Sequence, residues 1–203
     1  MNVLGFDLST RQGTIALIRE MDARSYDTIA KHEWPNDRRN SAPFFRALNE
    51  IICVHGAPDR IVVGLGPGSY TGTRIAVAAA IGLELSSGAQ VYRLPSISAM
   101  SDDNDFAVIG DAKRASFFFG RISQHEITGE IELLSQDRMS RFIREITVPI
   151  YTADNLPQFS QARVRYPRAE LLCSLALSDE NLAHIPLEPI YLRPPHITSP
   201  RNK

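Results

Sequence analysis

The chain has 203 residues, 43% hydrophobic and 22% charged, with 22 basic and 23 acidic side chains. That is ordinary for a globular protein and ample for a core in one large domain or two small ones. Residues 1–104 carry 10 basic and 11 acidic residues, and residues 105–203 carry 12 and 12; charge this even excludes an electrostatic footprint for nucleic acid or an anionic membrane surface.

Val3-Leu-Gly-Phe6 reads as a buried strand ending at Asp7, Ser9–Gly13 as a turn, and Thr14–Ile18 as a second strand, so that 3–18 form a hairpin. A third strand follows over Tyr26–His32. Phe44, Leu48, Ile51 and Ile52 recur at helical spacing and predict a helix over Pro43–His55, with Ser41 as its N-cap and Gly56 as its stop. A strand over 60–64, a glycine-rich turn, a helix over 72–86 and a strand over 90–93 complete the order β-β-β-α-β-α-β. From Phe106 a similar phrase starts: an apolar run to Gly110, then Asp111, a polar turn over 112–116, strands at 117–122 and 130–134, and a helix over 137–145. The repeat predicts an internal duplication with a seam at Ser101–Asn104. A duplicated βββα unit marks actin-like, sugar-kinase-like and Hsp70-like folds. Residues 150–187 give no reading, and the proline-rich 185–195 is expected to be extended.

The glycine loop Gly64–Arg74 carries the most specific pattern. Glycines let a backbone approach a phosphate, a helix or another chain closely. It is not a Walker A loop, since no lysine occurs from 32 to 112, and it is not G-x-G-x-x-G, since position 71 is Thr. Ser69 or Thr71 is placed to cap the following helix. Gly72, Ala76, Ala79 and Ala80 form a stripe almost without bulk, suited either to packing within the chain or to docking a partner.

Asp7 and Asp111 occupy equivalent ends of their first strands. Each either ends a strand and caps its turn, or holds a metal beside a nucleotide, with Ser9 and Thr10 facing phosphates. His32, His55, His125, His184 and His196 lack metal-ligand spacing, so no metal site is expected. Cys53 and Cys173 read as buried, reduced thiols. The start of the chain shows no signal peptide, and the longest apolar stretch is far short of the roughly 20 residues of a membrane span; a cytoplasmic protein with no membrane contact is expected.

The loop Gly66-Pro67-Gly68-Ser69-Tyr70-Thr71-Gly72-Thr73-Arg74 resembles the G-P-G-S-F/Y-T-G-x-R signature of the bacterial TsaB (YeaZ) family. Val3–Thr10 is similar to that family's first-strand pattern, Asp111-Ala-Lys-Arg114 to its D-A-R segment, and Glu188-Pro-Ile-Tyr-Leu-Arg193 to its E-P-x-Y-L-R segment. The order matches across residues 1–193. Lys113, Ser116 and Phe117–Phe118 depart from the family's usual residues, as do Leu8 and the start of the first helix. The resemblance implies an α/β, actin-like (ASKHA, ribonuclease-H-like) fold of duplicated βββαβα subdomains. These are expected over 1–104 and, smaller and more diverged, over 105–203, with the tail 188–203 packing back on the first. It implies a non-catalytic subunit in the threonylcarbamoyl modification of adenosine 37 of tRNA, pairing with a catalytic TsaD-type paralogue and joined by a TsaE-type ATPase. In isolation a homodimer is implied, and tRNA is met only through the complex. The pairing face would include Gly72, Arg74, Ala76, Ala79 and Ala80. No cofactor is expected to bind tightly, with ATP or ADP and Mg entering only in the complex. The alternative is a stand-alone, actin-like Mg-ATP-dependent kinase or ATPase using Asp7 and Asp111, with Thr10 beside them as a candidate nucleotide-binding residue.

Overall fold

The computed structural model describes residues 1–22, 25–36, 41–178, 182 and 186–193. The first phrase folds as β1 (Asn2–Asp7), β2 (Gln12–Asp22), β3 (Ser25–Pro35), α1 (Ala42–His55), β4 (Arg60–Gly64), α2 (Tyr70–Ser87) and β5 (Gln90–Leu94). This is the element order read from the sequence, with β2 and β3 longer than expected. A short 3₁₀ helix at Ser96–Ala99 leads into β6 (Asp105–Asp111), β7 (Ser116–Ser123), β8 (Glu126–Ser135), α3 (Gln136–Phe142), β9 (Ile150–Thr152), β10 (Arg163–Val164) and α4 (Ala169–Ser178).

Each phrase makes a five-stranded sheet, in the orders β3-β2-β1-β4-β5 and β10-β9-β6-β7-β8. In both, the first three strands are an antiparallel meander, and the last two join its first strand in parallel. The second sheet therefore repeats the topology of the first. This is the duplicated α/β, actin-like arrangement. The copy is incomplete at one place: between β9 and β10, residues 153–162 form turns where the first phrase has α2.

Alternation along the strands sets the layers. Leu4 and Phe6 of β1 and Ile61 and Val63 of β4 face α1 and α2 in one core. Val3, Val62, Tyr92 and Leu94 face the opposite way, against Leu171, Leu172, Cys173 and Ala176 of α4. α4, which follows the second sheet in sequence, thus covers the first. Gly5 admits it: a Cβ there would lie 2.7 Å from the Ala169 carbonyl oxygen. In the second sheet, Ala107, Ile109, Phe117 and Phe119 pack on Met139 and Ile143, while Phe106, Val108 and Phe118 pack on Ile97 and Met100. The two sheets meet through that 3₁₀ segment. The seam at 101–104 is tied down, with Asp103 accepting from the Ser101 hydroxyl at 2.7 Å and the Tyr151 hydroxyl at 2.5 Å.

Some local expectations change. Ser41 makes no side-chain cap bond to α1, whereas Ser69 caps α2 by accepting from the Gly72 N–H at 3.2 Å. Cys53 is exposed; Cys173 is buried, and desolvation holds its thiol well above the usual range. No helix of the described residues is long and apolar enough to cross a membrane. His184, His196 and residues 194–203 lie outside the described residues.

The placement of α4 is testable by truncating one side chain. Leu172 is 0% exposed on the first sheet, so Leu172→Ala lowers unfolding stability by about 2–5 kcal/mol. Urea titration followed by fluorescence of Trp34, which belongs to that sheet, should register the loss.

Candidate functional site

β1 and β4 are parallel neighbours, Phe6 beside Val63. The segments that follow them therefore emerge side by side at the carboxyl end of the sheet, where open α/β sheets build their sites. Here the two segments touch through backbone. A Cβ on Gly64 would run into the Asp7 carboxylate and approach Ser96 Oγ to 2.8 Å. One on Gly68 would run into the Ser9 carbonyl, and one on Gly72 into the Leu8 carbonyl. The spacing of four residues in the glycine loop is therefore the imprint of the turn Asp7–Ser9. Hydrogen bonds seal the contact: Ser69 N–H donates to Ser9 O at 2.6 Å, Gly66 N–H to Ser96 Oγ at 2.7 Å, and Ser96 N–H back to Gly66 O at 2.7 Å. Thr73 N–H and its hydroxyl both donate to Ser69 O, at 2.9 and 2.8 Å. A phosphate cradle offers unspent N–H groups; the N–H groups of Gly66, Ser69, Gly72 and Thr73 are bonded within the chain.

Asp7 is fully buried. Its Oδ1 accepts from the Ser9 N–H at 2.8 Å and the Ser9 hydroxyl at 2.7 Å. Its Oδ2 has no well-aligned donor; the Ser96 hydroxyl beside it compensates only partly. Burial, outweighing these hydroxyl and amide contacts, holds the Asp7 carboxyl above the usual carboxylate range. Asp111 repeats the turn: its Oδ1 accepts from the Lys113 N–H at 2.7 Å. Its Oδ2 pairs with the Lys113 ammonium, and its N–H donates to Asp154 Oδ2 at 2.8 Å. Both aspartates thus cap their turns.

Between the two turns lies a cleft of about 320 Å³. Thr10, Pro67, Gly68, Ser69 and Asp111 line it, together with Arg11, Lys113, Asp154 and Arg193. Thr10 spends its hydroxyl locally, on Gln12 O at 2.9 Å. Asp7 is not among the lining residues; it sits behind Ser96. The structure therefore brings Thr10 and Asp111 to one cleft and leaves Asp7 beneath it. Among the described residues no three His, Cys, Asp or Glu side chains converge to hold a metal.

α2 has two unlike faces. Gly72, Ala76 and Ala80 are buried in the core against β1 and β4, and Ala79 packs beside them. The expected place of Gly72, Ala76 and Ala80 on a partner face is corrected by their burial: the missing bulk lets α2 approach its own sheet. Opposite them, Arg74, Ala78, Ile81 and Leu85 follow one line along the helix and are exposed, Leu85 at 82%. Thr71 is exposed and does not cap the helix. Arg74 donates from Nε to the Tyr191 hydroxyl at 2.9 Å and stacks 3.9 Å above the Tyr70 ring. The Tyr70 and Tyr191 rings lie 5.3 Å apart. This cluster joins the glycine loop to the near-terminal segment, whose Ile190 N–H donates to Leu65 O at 2.8 Å. Sequence reasoning assigned no role to Tyr70, Tyr191, Ser96 or Asp154. Only the tyrosines had a signal, through their places in the two most specific motifs.

Residues 44–180 match the family described as TsaD: tRNA N6-adenosine threonylcarbamoyltransferase. Uncharacterised proteins of Mycobacterium tuberculosis and Mycobacterium bovis are 27% identical over 122 residues, which cover 59% of this chain and 58% of theirs. The chain spans less than two thirds of those relatives. YeaZ from Pseudomonas aeruginosa superposes with a TM-score of 0.71 at 20% identity, over 94% of this chain and 99% of that one. A Pseudomonas aeruginosa protein described as similar to the peptidase YeaZ gives 0.68 at 20% identity, over 95% and 99%. These two likenesses establish the fold.

Asp7 yields a pH-dependent prediction. Its folded pKa is raised, so its contribution to stability is fully present below the ordinary value of 3.8 and is lost as pH rises through the folded value. Asp7→Asn keeps an oxygen for Ser9 and cannot ionise. The variant is expected to be at least as stable as the parent at pH 7, with that advantage disappearing toward pH 4 in paired thermal melts. A variant less stable than the parent at pH 7 contradicts the buried-turn role.

Proposed function

The chain belongs to the TsaD family and has the fold of YeaZ, and from this premise we propose that it is the non-catalytic, TsaB-type subunit of the tRNA threonylcarbamoyladenosine system. It pairs with a catalytic TsaD-type paralogue, and a TsaE-type ATPase joins the pair. tRNA is met through the complex. In isolation a second copy covers the same face.

The observation that carries this reading is the glycine loop filled by the chain's own turn. Ser9 O occupies the N–H of Ser69, and Asp7 is sealed behind Ser96. In this reading the residues that most resemble a nucleotide grip serve packing. What they position is α2, whose outward row Ala78, Ile81 and Leu85 is apolar and exposed. A row of this kind on a helix is a surface for another chain.

The runner-up is a stand-alone Mg-ATP-dependent kinase or ATPase, favoured by the cleft with Thr10 and Asp111 on its wall. Calorimetry with Mg-ATP separates the two: tight binding with turnover by the chain alone supports the runner-up.

For the pairing itself, Ile81→Arg is expected to weaken binding to the TsaD-type paralogue about 100-fold, since it places a charge in the middle of a desolvated contact, while circular dichroism stays that of the parent. Ala76→Arg instead reports on folding, because Ala76 is 0% exposed. Size-exclusion with the paralogue decides the matter; a folded Ile81→Arg variant that still pairs at micromolar concentration rejects the face.

A further inference from the structure

The cleft between the two turns has a chemistry distinct from that of the glycine loop beside it. Its volume of about 320 Å³ is at the small end of ligand cavities. Its deepest lining is apolar: Ile97, Met100, Val108 and Phe118 are buried there, and Ile190 and Leu192 of the near-terminal segment join them half-buried. Water in such a space meets mainly hydrocarbon, so an apolar body displaces it favourably.

The charged part of the wall is unequal in number and in use. Arg11, Lys113 and Arg193 line the cleft against Asp111 and Asp154, an excess of one positive charge. Lys113 pairs with Asp111, and Asp154 accepts the Asp111 N–H. Among the described residues Arg11 and Arg193 form no ion pair. Arg193 is half-buried and Arg11 exposed, so Arg193 is the less hydrated of the two. A guanidinium matches a carboxylate in shape as well as charge. A polyphosphate fits this wall poorly. It would set several negative charges beside Asp111 and Asp154, and it would meet the Gly66, Ser69, Gly72 and Thr73 amides already bonded.

The turn that brings Lys113 to the wall is held in a costly shape. Lys113, Arg114 and Ala115 are consecutive and all left-handed, with φ of 65°, 55° and 55°, a region that a Cβ disfavours. The Lys113 N–H on Asp111 Oδ1 and the Ala112 N–H on Ser116 O, at 2.7 and 3.0 Å, keep it there. Such outliers gather at ligand clamps.

We infer that the cleft binds a small organic monoanion, an apolar body carrying one carboxylate. The body lies over Ile97, Met100, Val108 and Phe118, and the carboxylate pairs with Arg193. The site belongs to the free chain and does not depend on the proposed pairing. It differs from the Mg-ATP reading in the size and the charge of its ligand.

Phenylbutyrate is the probe, titrated into the full-length protein and followed by backbone amide shifts, with the neutral phenylbutanamide and Mg-ATP in parallel. The acid is expected to bind about tenfold more tightly than the amide, the worth of one charged hydrogen bond, with shifts at Val108 and Phe118. Arg193→Gln is expected to abolish that preference and leave the affinity for the amide unchanged, which loss of packing alone would not do. Equal affinity of the parent for acid and amide overturns the anion site, as does an undiminished preference in Arg193→Gln. Absence of binding by the acid at millimolar concentration, or shifts confined to α2, overturns the cleft as its place. Mg-ATP binding more tightly than the acid overturns the monoanion and supports the nucleotide reading instead.

Discussion

The carboxyl end of the first sheet depends on how closely two stretches of main chain approach each other. The turn Asp7–Ser9 lies in the concave side of the loop and helix start formed by Gly64–Gly72. What a Cβ at Gly68 or Gly72 would strike is a carbonyl of the neighbouring turn. A carbonyl in a hydrogen-bonded turn cannot step aside as a flexible side chain can, so the positions are held to glycine by geometry rather than by flexibility. The contact fixes where α2 begins, and so which residues of α2 face inward. It also takes the Ser69 N–H into a bond with Ser9 O.

The two phrases solve the same local problem differently. Each first strand ends in an aspartate whose Oδ1 accepts the N–H two residues on. In the first phrase the next layer is main chain, with Ser69 N–H on Ser9 O. In the second it is a side chain, with Asp154 on the Asp111 N–H. A helix begins over the first turn, while residues 153–162 pass over the second without one. The copies therefore differ in charge and reach at the shared cleft. The first contributes hydroxyls and Arg11, with the Asp7 carboxylate sealed beneath. The second contributes Asp111 and Lys113, which pair with each other, and Asp154, which accepts the Asp111 N–H.

The element order of the first phrase was legible because each element carries its own period and punctuation: alternating or continuous apolar runs for the strands, Phe44, Leu48 and Ile51 at helical spacing for α1, and Gly56 and Gly88 at helix ends. The second phrase was legible as far as α3. Beyond it, β9 has three residues and β10 two, too short for a period to show. α4 is apolar enough to be a core helix, but nothing local says that it covers the first sheet rather than the second. Its placement is set by Gly5, which lies 164 residues earlier than Ala169. The candidate site was legible as a set of residues and misleading as a set of roles. Asp7 and the glycines are where the sequence puts them, yet whether a glycine faces a phosphate, a partner or a neighbouring turn is a long-range fact.

α2 shows why its small residues misdirect. A stripe of Gly72, Ala76 and Ala80 reads equally well as the seat of another chain or of the chain's own sheet, since both need close approach. The other face decides between them. If the small stripe were the docking face, Ile81 and Leu85 would have to turn toward the core, and they lie on the opposite side of the helix, in line with Ala78. Along these two lines the helix is inverted in bulk, with its smallest residues inside and two of its largest apolar ones outside. Inside, smallness is required because the sheet is near. Outside, Ile81 and Leu85 stand 42% and 82% exposed, and an apolar row in water favours whatever covers it. Packing within the chain thus accounts for one stripe, and the other is the surface on which the proposed pairing rests.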